Sequence, residues 1–574
     1  MFILYATTIS KYNSLVQLQI PTMPGFDQKN IYLLNVKSAI EASYYYYNKV
    51  FRHYCVILNL KFSLFMKRLF LFFLLFTIYS SGAFAQQIIF SEPFSEDNRD
   101  MNFDIIGRVN SNIIIFKNLR YKYSLNVYND SMLLKDKAEL DFLPAKVFNV
   151  DYVAYPDFFY LIYQYQKKSI VYCMAVKMDA DGKKMSEPIE LDTTHIGGLS
   201  DNKIYSTINS DDRKKIMVFK IQKKEDKYQF ATVLFNDQLQ VLHKSRQDLE
   251  YDDNKSTFSD FLLDNEGNFI FSAALKNANR SYYSSLVLIT KPPTSDNFLF
   301  HSLNLNKTFV DEVKIKIDNL NKRYILNSFF YKESNGPIDG LFCSIWDATG
   351  DSTSATVLSH FENDLRTMAK SSGNVKNAFN DFFIRNIILK KDGSFILHAE
   401  DYSSQSSGIN NWNRNDYLYG SPYLNSYNYY NYYNPGFGGY YRPYGFFGNG
   451  PSSQNTRNYY DNILVLSIAK NGIPEWTNII PKQQYSDDRD NHLSYSTFST
   501  GSELHFIFND ITRRDKLLMD KTLSLDGTLK RNPTLRTYDQ GYEFMPRFAK
   551  KIGPRQVIIP STVRGRVCFA KVDF

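Results

Sequence analysis

From about residue 100 to its end, the chain is written in short runs where apolar and polar residues alternate, separated by turn-forming residues. A period of two marks a half-buried strand, and the longer period of an amphipathic helix is nearly absent. The clearest runs come in fours. One set reads STFSDFLLDN, NFIFSAAL, SSLVLITK and NFLFHSLNL from Ser256 to Leu305; the next reads EVKIKIDN, RYILNSFFYK, DGLFCSIWDATG and TSATVLSHF from Glu312 to Phe361. Units of about 50 residues holding four strands each predict an all-β chain folded as a β-propeller. Radial closure hides the strand edges that a single wide sheet would expose.

Unit by unit, the pattern gives blades near 103–147, 148–194, 202–251, 256–306, 309–361, 381–481, 493–535 and 542–574. Eight four-stranded blades is the count, with seven as the alternative because the first two units are weakly bounded. The last unit holds three strands, and Gln86 to Phe90 supplies a fourth, so strands from the two ends of the chain close the ring. Hairpin turns fall between third and fourth strands at Asp179-Ala180-Asp181-Gly182, Thr349-Gly350-Asp351, Asn471-Gly472 and Asp526-Gly527, where Gly and Asn tolerate positive φ. Asp179-x-Asp181-Gly182 begins like a calcium loop but lacks the later acidic ligands, which makes it a plain turn. Asn363 to Asn380 is the one helical stretch, read as a linker.

Upstream of this pattern, MKRLFLFFLLFTIYSSGAFAQQ starts at Met66 with the three parts of an export signal. Lys67 and Arg68 form the positive end, Leu69 to Ile78 an apolar run, and Ala83-Phe84-Ala85 the small-residue cleavage site, with Gln86 as the mature N-terminus. Translation starting at Met66 accounts for residues 1–65 as a non-native extension; the alternative is an uncleaved anchor with a cytoplasmic tail. Either way residues 86–574 leave the cytoplasm, for the periplasm or the exterior, without a stable membrane span. Residues 1–85 carry eight basic and two acidic residues, so the formal charge of +8 falls to about +2 without them. No basic stripe remains, and that excludes a nucleic-acid partner. Cys173, Cys343 and Cys568 cannot all pair and read as small buried hydrophobes.

The sixth unit breaks the pattern. Between its second and third strands, Gly408 to Tyr460 holds 13 tyrosines, with Asp416 the only acid. In a propeller, that loop leaves on the same face as the connection to the next blade, which here is Tyr485-Ser486-Asp487-Asp488-Arg489-Asp490-Asn491. Tyrosine offers a broad contact area with few rotors to freeze, and its ring stacks on sugars. Trp412, Tyr429, Tyr430, Tyr432, Tyr433, Tyr440 and Tyr441, with Asp487, Asp488 and Asp490, are therefore the candidate binding residues. The rival readings are an insertion without a ligand and a solvated acidic turn.

Two local resemblances bear on the fold. AKNGIPEWTNII (Ala469 to Ile480) resembles the turn and strand of quinoprotein-like propeller repeats, which build eight-bladed rings. SIWDATGD (Ser344 to Asp351) resembles the Trp-Asp end of a WD40 strand. With three tryptophans in all, Trp346, Trp412 and Trp476, the repeated docking tryptophans of both families are missing. The overall style resembles exported propellers of Bacteroidota. Serine-hydrolase elbows, zinc-protease helices and phosphate loops are absent from the sequence. The histidines stand singly, and neither a cofactor nor a metal is expected. These observations favour a monomeric, non-catalytic exported protein that binds an envelope or extracellular protein or glycan. The alternative is a secreted polysaccharide hydrolase or lyase whose acids come from several blades.

Overall fold

Alternation becomes strand almost everywhere it was read. The computed structural model describes residues 87–95, 101–198, 203–224, 227–250, 256–276, 282–334, 336–370, 375–406, 456–487, 490–511, 516–532 and 541–574, together with Tyr45. All but Tyr45 belong to one compact unit, Ala85–Phe574. Among these residues the strands form antiparallel sets of four at 101–139, 149–195, 206–250, 256–303, 309–360, 382–480, 495–531 and 542–573. The fourth and fifth sets are joined by a single bridge between Tyr283 and Val310. The chain is all-β, and this architecture is consistent with a β-propeller.

Burial explains the order within each set. The second strand of the first set, Asn112–Leu119, is buried along nearly its whole length, whereas its fourth, Leu134–Glu139, is exposed. A strand covered on both faces reads as a continuous apolar run, and a strand facing water on one side alternates. First strands of successive sets lie against one another, as Ser256–Leu263 does against Phe309–Asp318. The sets pack face to face through eight hydrophobic clusters, seven shared by neighbours in sequence and one by the first and last sets. In one, Phe219 and Phe230 of the third set meet Phe258 and Phe271 of the fourth. In another, Phe103, Ile105 and Ile115 of the first set meet Ile552, Ile558 and Phe569 of the last.

The last set is completed by a strand that precedes the first set. Gln87–Phe90 pairs antiparallel with Arg566–Asp573, in the register Gln87 to Asp573 and Phe90 to Ala570. Backbone bonds from Ser91 N to Phe569 O and from Phe94 N to Val567 O, both 2.8 Å, extend the attachment.

Turns between third and fourth strands dock on the preceding set. Gly527 has φ +86° and sits under the Trp476 ring, whose indole N–H donates to Leu525 O at 3.3 Å. Asp179 accepts the backbone N–H groups of Asp181 and Lys183, so its carboxylate caps the turn. The stretch read as a helix across 363–380 is a helix over Asn363–Ala369 and a single 3₁₀ turn over Val375–Asn377. Cys173, Cys343 and Cys568 are buried free thiols. No helix among the described residues is long and apolar enough to cross a membrane.

Candidate functional site

The tyrosine-rich segment is anchored at both ends by one hairpin. Phe395–Ser406 leads into it and Thr456–Ile468 leads out, paired from Phe395–Ile468 to Ser406–Thr456. A short strand, Gln484–Asp487, then pairs along Arg457–Tyr460, so the connection to the seventh set lies against the base of the segment. The Arg457 guanidinium grips Asp487 through two bonds of 2.7 and 3.0 Å and stands over the Tyr485 ring at 5.1 Å. That grip holds the Asp487 carboxyl below the usual carboxylate range.

Asp490 is tied down more deeply. Arg547, from the eighth set, donates to both of its oxygens at 2.8 Å, and the Tyr460 hydroxyl donates to one of them at 2.9 Å. One carboxylate thus joins the third strand of the sixth set, the approach to the seventh and the eighth. Asp487 and Asp490 are both engaged by guanidinium groups. Asp488, Trp412, Tyr429, Tyr430, Tyr432, Tyr433, Tyr440 and Tyr441 lie outside the described residues, as do Ala85 and Gln86.

A second constellation went unread in the sequence. Where the first strands gather, they carry charged residues at or beside β-bulges, which locally re-aim side chains. Register shifts fall at Ile105/Gly107, Ser259/Leu262, Val310/Val313 and Ile384/Asn386. Asp104, Asp260, Glu312 and Arg385 lie in or next to them. Asp260, at φ +54°, accepts the Ile315 N–H at 2.6 Å and faces Lys314 at 3.6 Å; Lys314 also pairs with Glu312 at 2.8 Å. Burial pushes the Asp260 carboxyl up. It also draws the Lys314 ammonium down, but Asp260 and Glu312 outweigh it and hold that ammonium above its usual value.

In the sixth set, Arg385 donates to Glu400 at 3.2 Å, Ser494 donates to the same oxygen at 2.7 Å, and Lys482 lies 3.0 Å from the other oxygen. Glu400 and Lys482 are essentially inaccessible. Burial pulls the Lys482 ammonium down against the pull of Glu400. Close by, buried His398 meets the Tyr495 hydroxyl at 2.5 Å, and burial, with Arg385 adding, pushes the imidazole down to about 3. His398 is a neutral core histidine at any physiological pH.

Between the first, second and last sets, Lys550 donates to the Tyr152 hydroxyl at 2.9 Å, and that hydroxyl donates to Ile105 O at 3.1 Å. Burial pushes the nearby Asp104 carboxyl up to about 7, with Lys550 opposing and Asp151 adding. Burial also pushes Lys550 down to about 8 against the pull of Asp104. Between pH 4 and 7 the folded state therefore holds a proton on Asp104 that the unfolded chain has lost. The stability gained at low pH is lost as pH rises through that window, by at most about 1.4 kcal/mol per pH unit. Above pH 8 the sign reverses, because Lys550 is neutral when folded and charged when unfolded. Urea denaturation at pH 5 and pH 7 should show the D104N variant gaining stability relative to the parent as pH rises; a pH-independent difference would refute the assignment.

No family model matches the chain, and no curated protein does. Among solved structures it is similar to a prolyl endopeptidase at 9% identity and TM-score 0.37, covering 82% of this chain and 55% of that one. It is similar to the polysaccharide lyase Uly1 at 10% identity and TM-score 0.35, covering 74% and 89%. An uncharacterized protein, lmo1340 from Listeria monocytogenes, aligns at 7% identity and TM-score 0.33, covering 74% and 93%. The chain spans about half the length of the prolyl endopeptidase. At these scores the likeness carries no argument about activity. None of the matches bears on the quinoprotein-like or WD40 resemblance.

Proposed function

We propose that residues 86–574 form a closed eight-bladed propeller that is exported and binds an envelope or extracellular protein or glycan through the face bearing residues 407–455. Eight inter-sheet clusters, one of them between the last set and the first, support the ring, and so does the pairing of Gln87–Phe90 with Arg566–Asp573. The export signal at Met66 to Ala85 supports the location. The observation that carries the binding face is its mount. Arg457–Asp487 and Tyr460–Asp490–Arg547 fix the base of a tyrosine-rich segment to three successive blades. Anchoring both ends limits the entropy lost when such a surface docks, the usual cost of a loop paratope.

Replacing residues 409–453 by a short Gly-Ser linker tests it. Capture of a partner from envelope extract, or of glycans on an array, should disappear while the melting temperature stays within a few degrees. Full retention of capture would end the proposal. The second reading, a polysaccharide hydrolase or lyase, draws on Asp104, a carboxyl pushed up to about 7 beside Lys550, as a proton donor near neutral pH. Turnover of a polysaccharide panel that is abolished in the D104N variant would favour it.

A further inference from the structure

We propose that the cleft between the sixth and seventh sheets binds an acidic sugar unit of a glycan, with Lys521 and Arg531 taking its carboxylate. This deepens the glycan branch of the function proposed above and rests on it.

The cleft has a volume of about 430 Å³, within the size range of small-molecule sites. Asp461 and Asn462 line it from the sixth set, Pro481 to Gln483 from the connection, and Phe508 to Asp510, Met519, Lys521 and Arg531 from the seventh. It lies at the base of the tyrosine-rich segment, because the strand Thr456–Ile468 runs from that segment directly into Asp461, and Gln483 immediately precedes the strand carrying Asp487.

Its charges are unevenly matched. Lys482 is committed to Glu400. Lys521 donates only to the Pro481 carbonyl, at 2.8 Å, and lies over the Phe508 ring at 5.5 Å. Arg531 is exposed and its hydrogen bond is to the Met519 sulfur at 3.7 Å, a weak acceptor. Two cations thus share the cleft without a carboxylate in ion-pair contact. Burial lowers the Lys521 ammonium, and the charge of Arg531 lowers it further, which is the field an incoming anion relieves. Asp510 is the opposing charge nearby and partly offsets it.

The remaining lining suits a sugar better than a bare oxyanion. Asp461 and Asn462 are half-buried and Gln483 is exposed among the lining residues, so polar side chains are within reach of ligand hydroxyls. Burial raises the Asp461 carboxyl toward its neutral form, which can both donate to and accept from a hydroxyl. Exposed Pro481 adds an apolar surface to the lining.

Titration calorimetry on the protein with trimers of galacturonate and of glucuronate, a matched neutral galactose trimer and inorganic sulfate tests the assignment. A uronate trimer should bind at least tenfold more tightly than the neutral one. The K521M and R531Q variants should each lose tenfold or more of that binding, and R531Q, altering an exposed side chain, should keep the parent melting temperature. Equal affinity for acidic and neutral trimers, affinity unchanged in both variants, or sulfate binding as tightly as the uronates would each overturn it. Removing residues 409–453 should leave uronate binding intact, so this site and the tyrosine-rich surface can fail separately.

Discussion

Replacing Glu400 by alanine should cost the fold about 3–5 kcal/mol, the usual penalty for stranding one member of a buried ion pair. Glu400 is completely inaccessible, and Lys482, 3.0 Å from one of its oxygens, is 1% exposed. Without the carboxylate, Lys482 keeps only the Tyr460 carbonyl and the Gln484 amide oxygen, at 2.8 and 3.1 Å. Arg385 and Ser494 lose their shared acceptor as well. The damage is therefore electrostatic and spread over two successive sheets and their connection. Pairing E400Q with K482M should recover much of the loss, since neutral groups of similar shape replace both charges. Chemical denaturation measures both. A cost below about 1 kcal/mol for E400A would mean that water reaches the pair.

The second large effect is expected on removing residues 87–95. Phe94 is 7% exposed and packs edge-on against Phe569, while Phe90 stacks on Tyr542 at 3.8 Å. Burial of two phenylalanines and the isoleucines between Gln87 and Phe90, with the backbone bonds to Phe569 and Val567, amounts to roughly 5 kcal/mol. The loss would also turn Arg566–Asp573 into an unprotected edge, a template for association with other chains. The truncated protein should melt well below the parent and associate with rising concentration. A synthetic peptide spanning residues 86–95 should restore part of the melting temperature. An unchanged melt would detach this strand from the fold.

The strands were legible as short apolar or alternating runs bounded by turn residues. Ser256–Leu263, Phe269–Lys276 and Tyr283–Lys291 fall where STFSDFLL, NFIFSAAL and SSLVLITK were read. The first unit was drawn too long, to 147, because Leu140, Leu143 and Val147 in a connection pack into the core and mimic a fourth strand, which ends at Glu139. The helical reading of 363–380 stopped short at Ala369. Just before that end the buried guanidinium of Arg366 bonds carbonyls of Phe361, Ile338 and Lys376.

The buried charges were harder to see. A bulge breaks the period of two, so alternation alone gives no sign that Asp104, Asp260 and Arg385 turn toward buried partners. Gly107, a glycine inside a strand with φ +127°, was the one local sign. Lys482 followed a proline and read as loop, yet it is buried because Glu400 waits two strands away. The base of the tyrosine-rich segment was legible from topology alone, since Arg457–Tyr460 and Gln484–Asp487 had to emerge together.

Everything about a shared face depends on the two ends of the chain meeting in one sheet. Cysteines placed at Gln87 and Asp573, paired residues of adjacent antiparallel strands, test this directly. Such partners lie within the reach of a disulfide, and in a chain of residues 86–574 the three native thiols are buried and will not compete. The ring predicts a spontaneous intrachain bond in the folded protein, located by peptide mapping and lost when the chain is oxidised after unfolding. Two free thiols in the folded protein, or bonds only between molecules, would contradict it.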